Sequence, residues 1–347
     1  MQLSEAVALI LCILLLMGCT TSSPSSTPSP TPVTTVTSAP TPSATPTATP
    51  TPTVAFTPEP TPTPSPLFFP SMAFILVENS GHRHTQNEID RISLLKERAS
   101  EQFSIATRGK ASLDTSYPVV VLSMENNPSP SAIAKKFYES NPDSFHFLTI
   151  YNLYDDSGTM YHTSVINRIS GIGLGISDLS NTYGSNGQLL GINWMKAVGL
   201  DEEDELSTVL SVNGILHETS HQWGAYINFI DENGQNSTIL RNPYNPAHWD
   251  KKLETGYDLL DGFSWQNNGD GTFTAKLISD YREGYSDLDL YLMGLISEDE
   301  VGPITLIVSD ADTKDIQPGT TINGTAKTIS IQQIIDANGP RSGRVLG

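Results

Sequence analysis

The chain has 347 residues, with 19 Lys and Arg against 38 Asp and Glu, for a formal net charge of −19. A surface this acidic repels phosphate backbones and anionic lipid, which argues against nucleic-acid binding. The only two cysteines, Cys12 and Cys19, lie close to the N-terminus, so the remainder has no disulfide or thiolate chemistry and must rely on its core.

The first residues read MQLSEAVALILCILLLMGC. The apolar run from Ala6 to Met17 has the length of a signal-peptide core and falls short of the roughly 20 residues of a membrane span. Its end, Leu16-Met17-Gly18-Cys19, resembles a bacterial lipoprotein cleavage site. That resemblance implies a signal peptide over 1–19, lipidation of Cys19 and a membrane-anchored protein of the cell envelope. An uncleaved N-terminal anchor would export and tether the chain in the same way. Residues 20–66 are almost wholly Ser, Thr, Pro and Ala, as in TPTPSATPTATPTPTV. This composition cannot offset chain entropy by burial and predicts a disordered stalk. At about 3.1 Å per residue in polyproline II, it reaches on the order of 100 Å.

Residues 67–347 remain for one domain or two closely packed lobes, an upper one over about 67–231 and a lower one over about 232–347. Ser71–Glu78 (SMAFILVE) reads as a buried strand. Thr85–Thr107 carries apolar residues at helical spacing, from Ile89 through Ile92, Leu95, Ala99 and Phe103 to Ile105. Tyr117–Met124 is a second buried strand, Ser131–Ser140 a short helix opened by Pro130, and Phe145–Tyr154 a third strand. Tyr161–Ile169 alternates enough to be a fourth strand at a sheet edge. The order implies a sheet carrying helices. GIGLGI, with Gly171, Gly173 and Gly175, lacks the last glycine of a dinucleotide loop and reads as a flexible loop or bulged strand. The acidic segment Asp201–Glu205 then complements the dipole of a helix predicted from Leu206 to about Asp231.

That helix carries HETSHQWGAYI, His217 to Ile227. His217 and His221 are one turn plus about 40° apart, so both rings leave the same face. Two imidazoles so placed can share one Zn²⁺. Glu218, rotated by about 100°, flanks the open side of such an ion, where it can take a proton from a water. The motif therefore reads as two ligands and a catalytic base on one rigid element; otherwise it is a polar helix face with two solvated histidines.

HETSH and the β/α segment before it resemble the zincin metallopeptidases. The resemblance implies an α+β fold, with a twisted mixed sheet and an HExxH helix above the cleft and a smaller irregular C-terminal lobe that supplies a third ligand from below. Gly224 matches the glycine of the metzincin extension HExxHxxGxxH, but Ile227 stands where its last histidine would be. His248 is the first choice for the third ligand, because the turn-forming Asn242-Pro243-Tyr244-Asn245-Pro246 can bring the chain back under the helix. Glu254, Asp258 and Asp261 compete for that role. His82, His84, His146 and His162 precede the motif.

Ser286-Asp287-Leu288-Asp289 reads as a capped helix start, and Met293 within that helix as a core methionine. Tyr285 and Tyr291 are candidates to stabilise an oxyanion. Asn267–Thr272 (NNGDGT) reads as a glycine hairpin rather than a Ca²⁺ site. Short strands (ITLIVS, KTISI) and a final helix-like piece follow. The expectation is a membrane-tethered, extracytoplasmic zinc peptidase acting on protein or peptide substrates. The alternatives are a non-catalytic stalked lipoprotein binding protein or glycan, with Trp249 and Trp265 stacking on sugars, and a hydrolase of a non-peptide bond.

Overall fold

Met72–Glu78 (β1) is buried at every position, as expected of a strand covered on both faces. A computed structural model describes residues 69–153, 159–197, 199–200, 204–277 and 284–343. The expected leader, Cys19 and stalk lie outside the described residues. Among the described residues, no helix is long and apolar enough to cross a membrane.

After β1 comes helix α1, Gln86–Ala106. Ile92, Leu95, Ala99 and Phe103 form its buried stripe, and Thr85 and Glu88 cap its start reciprocally. Val120–Ser123 (β2) runs parallel to β1. Helix α2, Pro130–Tyr138, opens with Ser129 as its cap and proline in its first turn. Phe147–Asn152 (β3) joins the other side of β1, also in parallel. Each of these elements lies within a few residues of its expected bounds, but β2 is half-buried rather than buried as expected, because it ends the sheet with only β1 beside it.

The predicted strand Tyr161–Ile169 is shorter. Tyr161–Ser164 (β4) stops where Val165 N and Ile166 N both donate to Leu190 O, at 2.7 and 3.0 Å, which ends regular pairing. Ile166–Asn167 turns away to pair with Ser177–Asp178. Gly191–Lys196 (β5) has no counterpart among the predicted elements, because Asn193 and Lys196 interrupt its apolar run; yet all six residues are buried. It lies between β3, parallel, and β4, antiparallel. The resulting mixed sheet has the order β2-β1-β3-β5-β4, with β4 at the end.

Helix α3, Glu205–Ser220, contacts β5 and β4 and packs beside α1. Arg91 of α1 fixes this pairing, with Nη1 donating to Thr208 Oγ1 at 2.6 Å and Nε to Gly199 O at 2.9 Å. α3 is shorter than the predicted Leu206–Asp231. Trp223 N and Gly224 N both return to Ser220 O, and Ala225 takes a left-handed φ of 61°, which turns the chain off the helix axis. His221 caps the helix and keeps helical angles (φ −60°, ψ −10°), so the spacing of the two motif histidines survives.

The C-terminal part adds strands Trp249–Glu254 (β6), Asp261–Phe263 (β7), Trp265–Asn267 (β8) and Thr272–Ala275 (β9). Helix α4, Asp287–Met293, follows, then Ile304–Val308 (β10), Thr321–Asn323 (β11), Thr325–Ile329 (β12) and helix α5, Ile331–Asn338. They form sheets of order β7-β6-β10-β12 and β8-β9-β11. β8 and β9 make the hairpin expected around Gly269, with Asn267 opposite Phe273. Ser286 caps α4 as predicted, and Met293 is buried in the main core. The chain is therefore an α+β protein with several sheets.

Candidate metal centre

His217 sits in the last turn of α3, and its Nδ1 lies 2.5 Å from Leu259 O. A carbonyl only accepts, so Nδ1 carries the proton and Nε2 keeps the lone pair. His248 arrives on the loop that precedes β6. Asn242 N donates to His248 O at 2.8 Å and His248 N to Asn245 O at 3.0 Å, so the predicted Asn242–Pro246 turn does close the loop. His248 Nδ1 faces Asp261 Oδ2 at 3.1 Å, and the Asn245 side-chain amide lies 3.0 Å from the same nitrogen. His248 Nε2 then stands 3.2 Å from His221 Nε2.

The three imidazoles form a triangle, with ring centroids 4.9, 4.8 and 5.0 Å apart. One ligand nitrogen from each lies within 4.8 Å of the others, so His217, His221 and His248 form a group that could hold a metal ion. The competing carboxylates have other partners. Glu254 accepts from Trp265 N at 2.6 Å and Gly256 N at 3.0 Å. Asp258 accepts from Leu260 N at 2.7 Å and Ser286 N at 2.5 Å. Asp261 stands behind His248 rather than among the ligands.

The electrostatics suit a cation. Burial, then the neighbouring His248 charge, pushes His217 down to about 4. Burial takes His221 well below the usual imidazole range. Both rings are neutral at pH 7, as ligation requires. Burial opposes protonation of His248, but Asp261 and then Glu218 outweigh it and make this ring the most basic of the three. A carboxylate behind a ligating histidine is the usual means of fixing its tautomer and strengthening its lone pair. His221 differs, because its Nδ1 is buried without a hydrogen-bond partner.

Glu218 is 4 % exposed, and its Oε2 is buried with no partner. Burial pushes this carboxyl up to about 8, against the pull of His248. Tyr226 lies beside it: its hydroxyl donates to His221 O at 3.0 Å and is pushed up to about 12 by burial and by Glu218. The sequence reading passed over Tyr226, although it lies within the quoted stretch, five residues after His221. The two tyrosines it did name are engaged elsewhere. Ser220 Oγ donates to the Tyr285 hydroxyl at 3.1 Å, and Arg341 N donates to the Tyr291 hydroxyl at 3.3 Å.

Trp249 and Trp265 are buried, with indole N–H groups donating to Asp289 Oδ1 at 3.1 Å and Lys251 O at 3.0 Å. Neither offers a face for sugar stacking, which corrects that expectation. Three of the four other histidines have partners away from this site. His84 Nδ1 meets Glu78 at 2.7 Å, His146 Nδ1 accepts from Ser71 N at 3.0 Å, and His162 bridges Asn193 and Gln222 at 2.9 and 3.1 Å.

No family model and no curated protein matches this chain. What distinguishes the chain is the site itself: three converging imidazoles, a buried carboxyl with one oxygen unpartnered and a phenol beside it.

Proposed function

We propose that this chain is a zinc-dependent peptidase of the zincin type. The observation that supports the reading best is the convergence of three imidazole nitrogens next to the unpartnered Glu218 carboxyl. An all-nitrogen set of three protein ligands is characteristic of catalytic zinc, which keeps a fourth position for water or substrate. Zinc bound there would supply Lewis acidity, activating a water and polarising a carbonyl.

The chain's own residues supply the remaining functions. Leu259 O and Asp261 hold the His217 and His248 rings with Nε2 inward. Glu218 takes the proton of the attacking water and passes it to the leaving amine. Its burial keeps bulk water from the group that must both accept and return a proton. When substrate binds, the Tyr226 hydroxyl exchanges its bond to His221 O for one to the developing oxyanion. β4, at the end of the sheet, offers backbone groups for an extended peptide to pair with. In this reading the apolar leader and Cys19 tether the enzyme to a membrane, and the Pro-rich segment holds it away from the surface.

Glu218→Gln tests the reading. The variant should keep one zinc per chain and lose hydrolysis of an unstructured protein substrate, while a chelator stops the wild type and zinc restores it. Cleavage by a folded Glu218→Gln protein would end the mechanism. Wild-type protein that carries zinc and cleaves nothing would leave the non-catalytic, stalked binding protein instead.

A further inference from the structure

Beside the loop that delivers His248, an open groove of about 510 Å³ runs between residues 238–246 and the end of β10. Ligand clefts typically have volumes of roughly 300–1,000 Å³. Pro243, Pro246, Leu306 and Ile307 make much of its wall apolar. Arg241 lines it too, and Arg241 Nε is buried without a hydrogen-bond partner. The one carboxylate of the lining is Asp250. Its Oδ1 is taken by Lys252 N at 2.8 Å and Thr313 Oγ1 at 3.0 Å, and burial pushes it toward the neutral form. Lys252 adds a second cationic side chain, with Nζ 3.3 Å from Ala311 O. In a chain with twice as many acidic as basic residues, Arg241 has no ion pair with a carboxylate among the described residues, which leaves its guanidinium open to an added carboxylate. Guanidinium forks match carboxylates in geometry as well as charge.

We propose that this groove binds a carboxylate of a peptide, either its C-terminus or an Asp or Glu side chain, through Arg241. As a substrate subsite the proposal rests on the peptidase reading; as a carboxylate site it stands without it. Arg241 and His248 are the two ends of one loop. The Asn242–His248 backbone bond closes this loop, and Arg241 bridges Trp249 across it, which brings the two backbones to about 5 Å. Asn242, Pro243 and Pro246 of the groove's wall belong to the same loop that delivers His248.

The test uses the full-length Glu218→Gln protein, with and without zinc, and three fluorescein-labelled hexa-alanine probes followed by anisotropy. One probe ends in a free carboxylate, the second is amidated, and the third is amidated with one alanine replaced by Glu. At least one carboxylate probe should bind tenfold or more tighter than the plain amide, and which one does so distinguishes the C-terminus from the side chain. The preference should persist without zinc, disappear in Arg241→Gln and return in large part in Arg241→Lys, with zinc content unchanged in both. Equal binding of the three probes would overturn the proposal. A preference seen only with zinc, or one that survives Arg241→Gln, would do the same. Should Arg241→Gln not fold, the zinc-free probe comparison and Arg241→Lys decide. A protein that binds carboxylate probes through Arg241 yet cleaves nothing would remove the peptidase reading and keep the groove.

Discussion

Asp261 adopts a φ of 74°, in the left-handed region that most side chains avoid, and from there its carboxylate reaches His248 Nδ1. Backbone strain of this kind persists where the surroundings enforce it, and here Trp249 N donates to Leu260 O at 2.9 Å just before the strained residue. The carboxylate orients the ring and raises the basicity of the nitrogen that faces the other two histidines. Asp261→Asn would keep an acceptor in place and remove the charge. Zinc affinity should fall by about 10- to 100-fold, as is usual when the partner of a ligating histidine is altered. Competition with a chromogenic chelator measures it; unchanged affinity would mean that Asp261 serves the loop and not the metal.

Among the elements, the end of α3 is held from several sides. A Cβ on Gly224 would collide with Leu260 Cδ1 and stand 3.1 Å from Asp289 Oδ1. Leu260 is fully buried and has nowhere to go. Gly224→Ala should therefore cost about 1–3 kcal/mol through overpacking, read as a lowered denaturant midpoint at unchanged slope. Gly173 of GIGLGI meets the same turn, where a Cβ would strike the Tyr226 carbonyl. A Cβ on Gly171 would likewise strike the Pro340 carbonyl, whereas one on Gly175 would meet nothing within 4 Å. What was legible beforehand follows from local pattern. The buried strands β1 and β3, α1 and the His217-Glu218-His221 constellation depend on spacing within one element, and His248 was reachable because a turn-rich segment follows the motif. β5 was not legible, since Asn193 looks like an interruption until its partners are known. Its Nδ2 donates to Thr219 Oγ1 at 2.8 Å, and its Oδ1 faces His162 Nδ1 at 2.9 Å. The place of Asp261 behind His248 was hidden because it joins two separate elements, whereas the end of α3 and the Tyr226–His221 contact are local and hang on one left-handed residue, Ala225, that carries no sequence signal.

At the scale of the whole molecule, Glu78 governs part of the response to acid. It ends β1 and gathers the neighbouring strand and the loop before α1: Arg83 Nη1, His84 Nδ1 and Ser123 Oγ reach its carboxylate at 2.6, 2.7 and 2.7 Å. Burial opposes ionisation, but the hydrogen bonds from His84, Ser123 and Arg83 outweigh it and hold the carboxyl near 2, against 4.5 ordinarily. A depressed carboxyl contributes stability that is complete above the unfolded value and is lost as pH falls through the folded one. Glu78→Gln should melt below the wild type at pH 6, and the two curves should converge between pH 4.5 and 2. A constant gap over that range would assign the difference to packing.

Burial, then the neighbouring Asp289 carboxylate, pushes Asp258 well above the usual carboxylate range, and burial raises Asp289 as well. Asp258 also accepts from Leu260 N, the residue after the carbonyl that grips His217, while Asp289 belongs to α4. An ion held by the three histidines would therefore be thermodynamically linked to the integrity of the C-terminal half. Calorimetry with increasing free zinc should raise a single transition as one cooperative event, and the cation should escape at the temperature where α4 lets go.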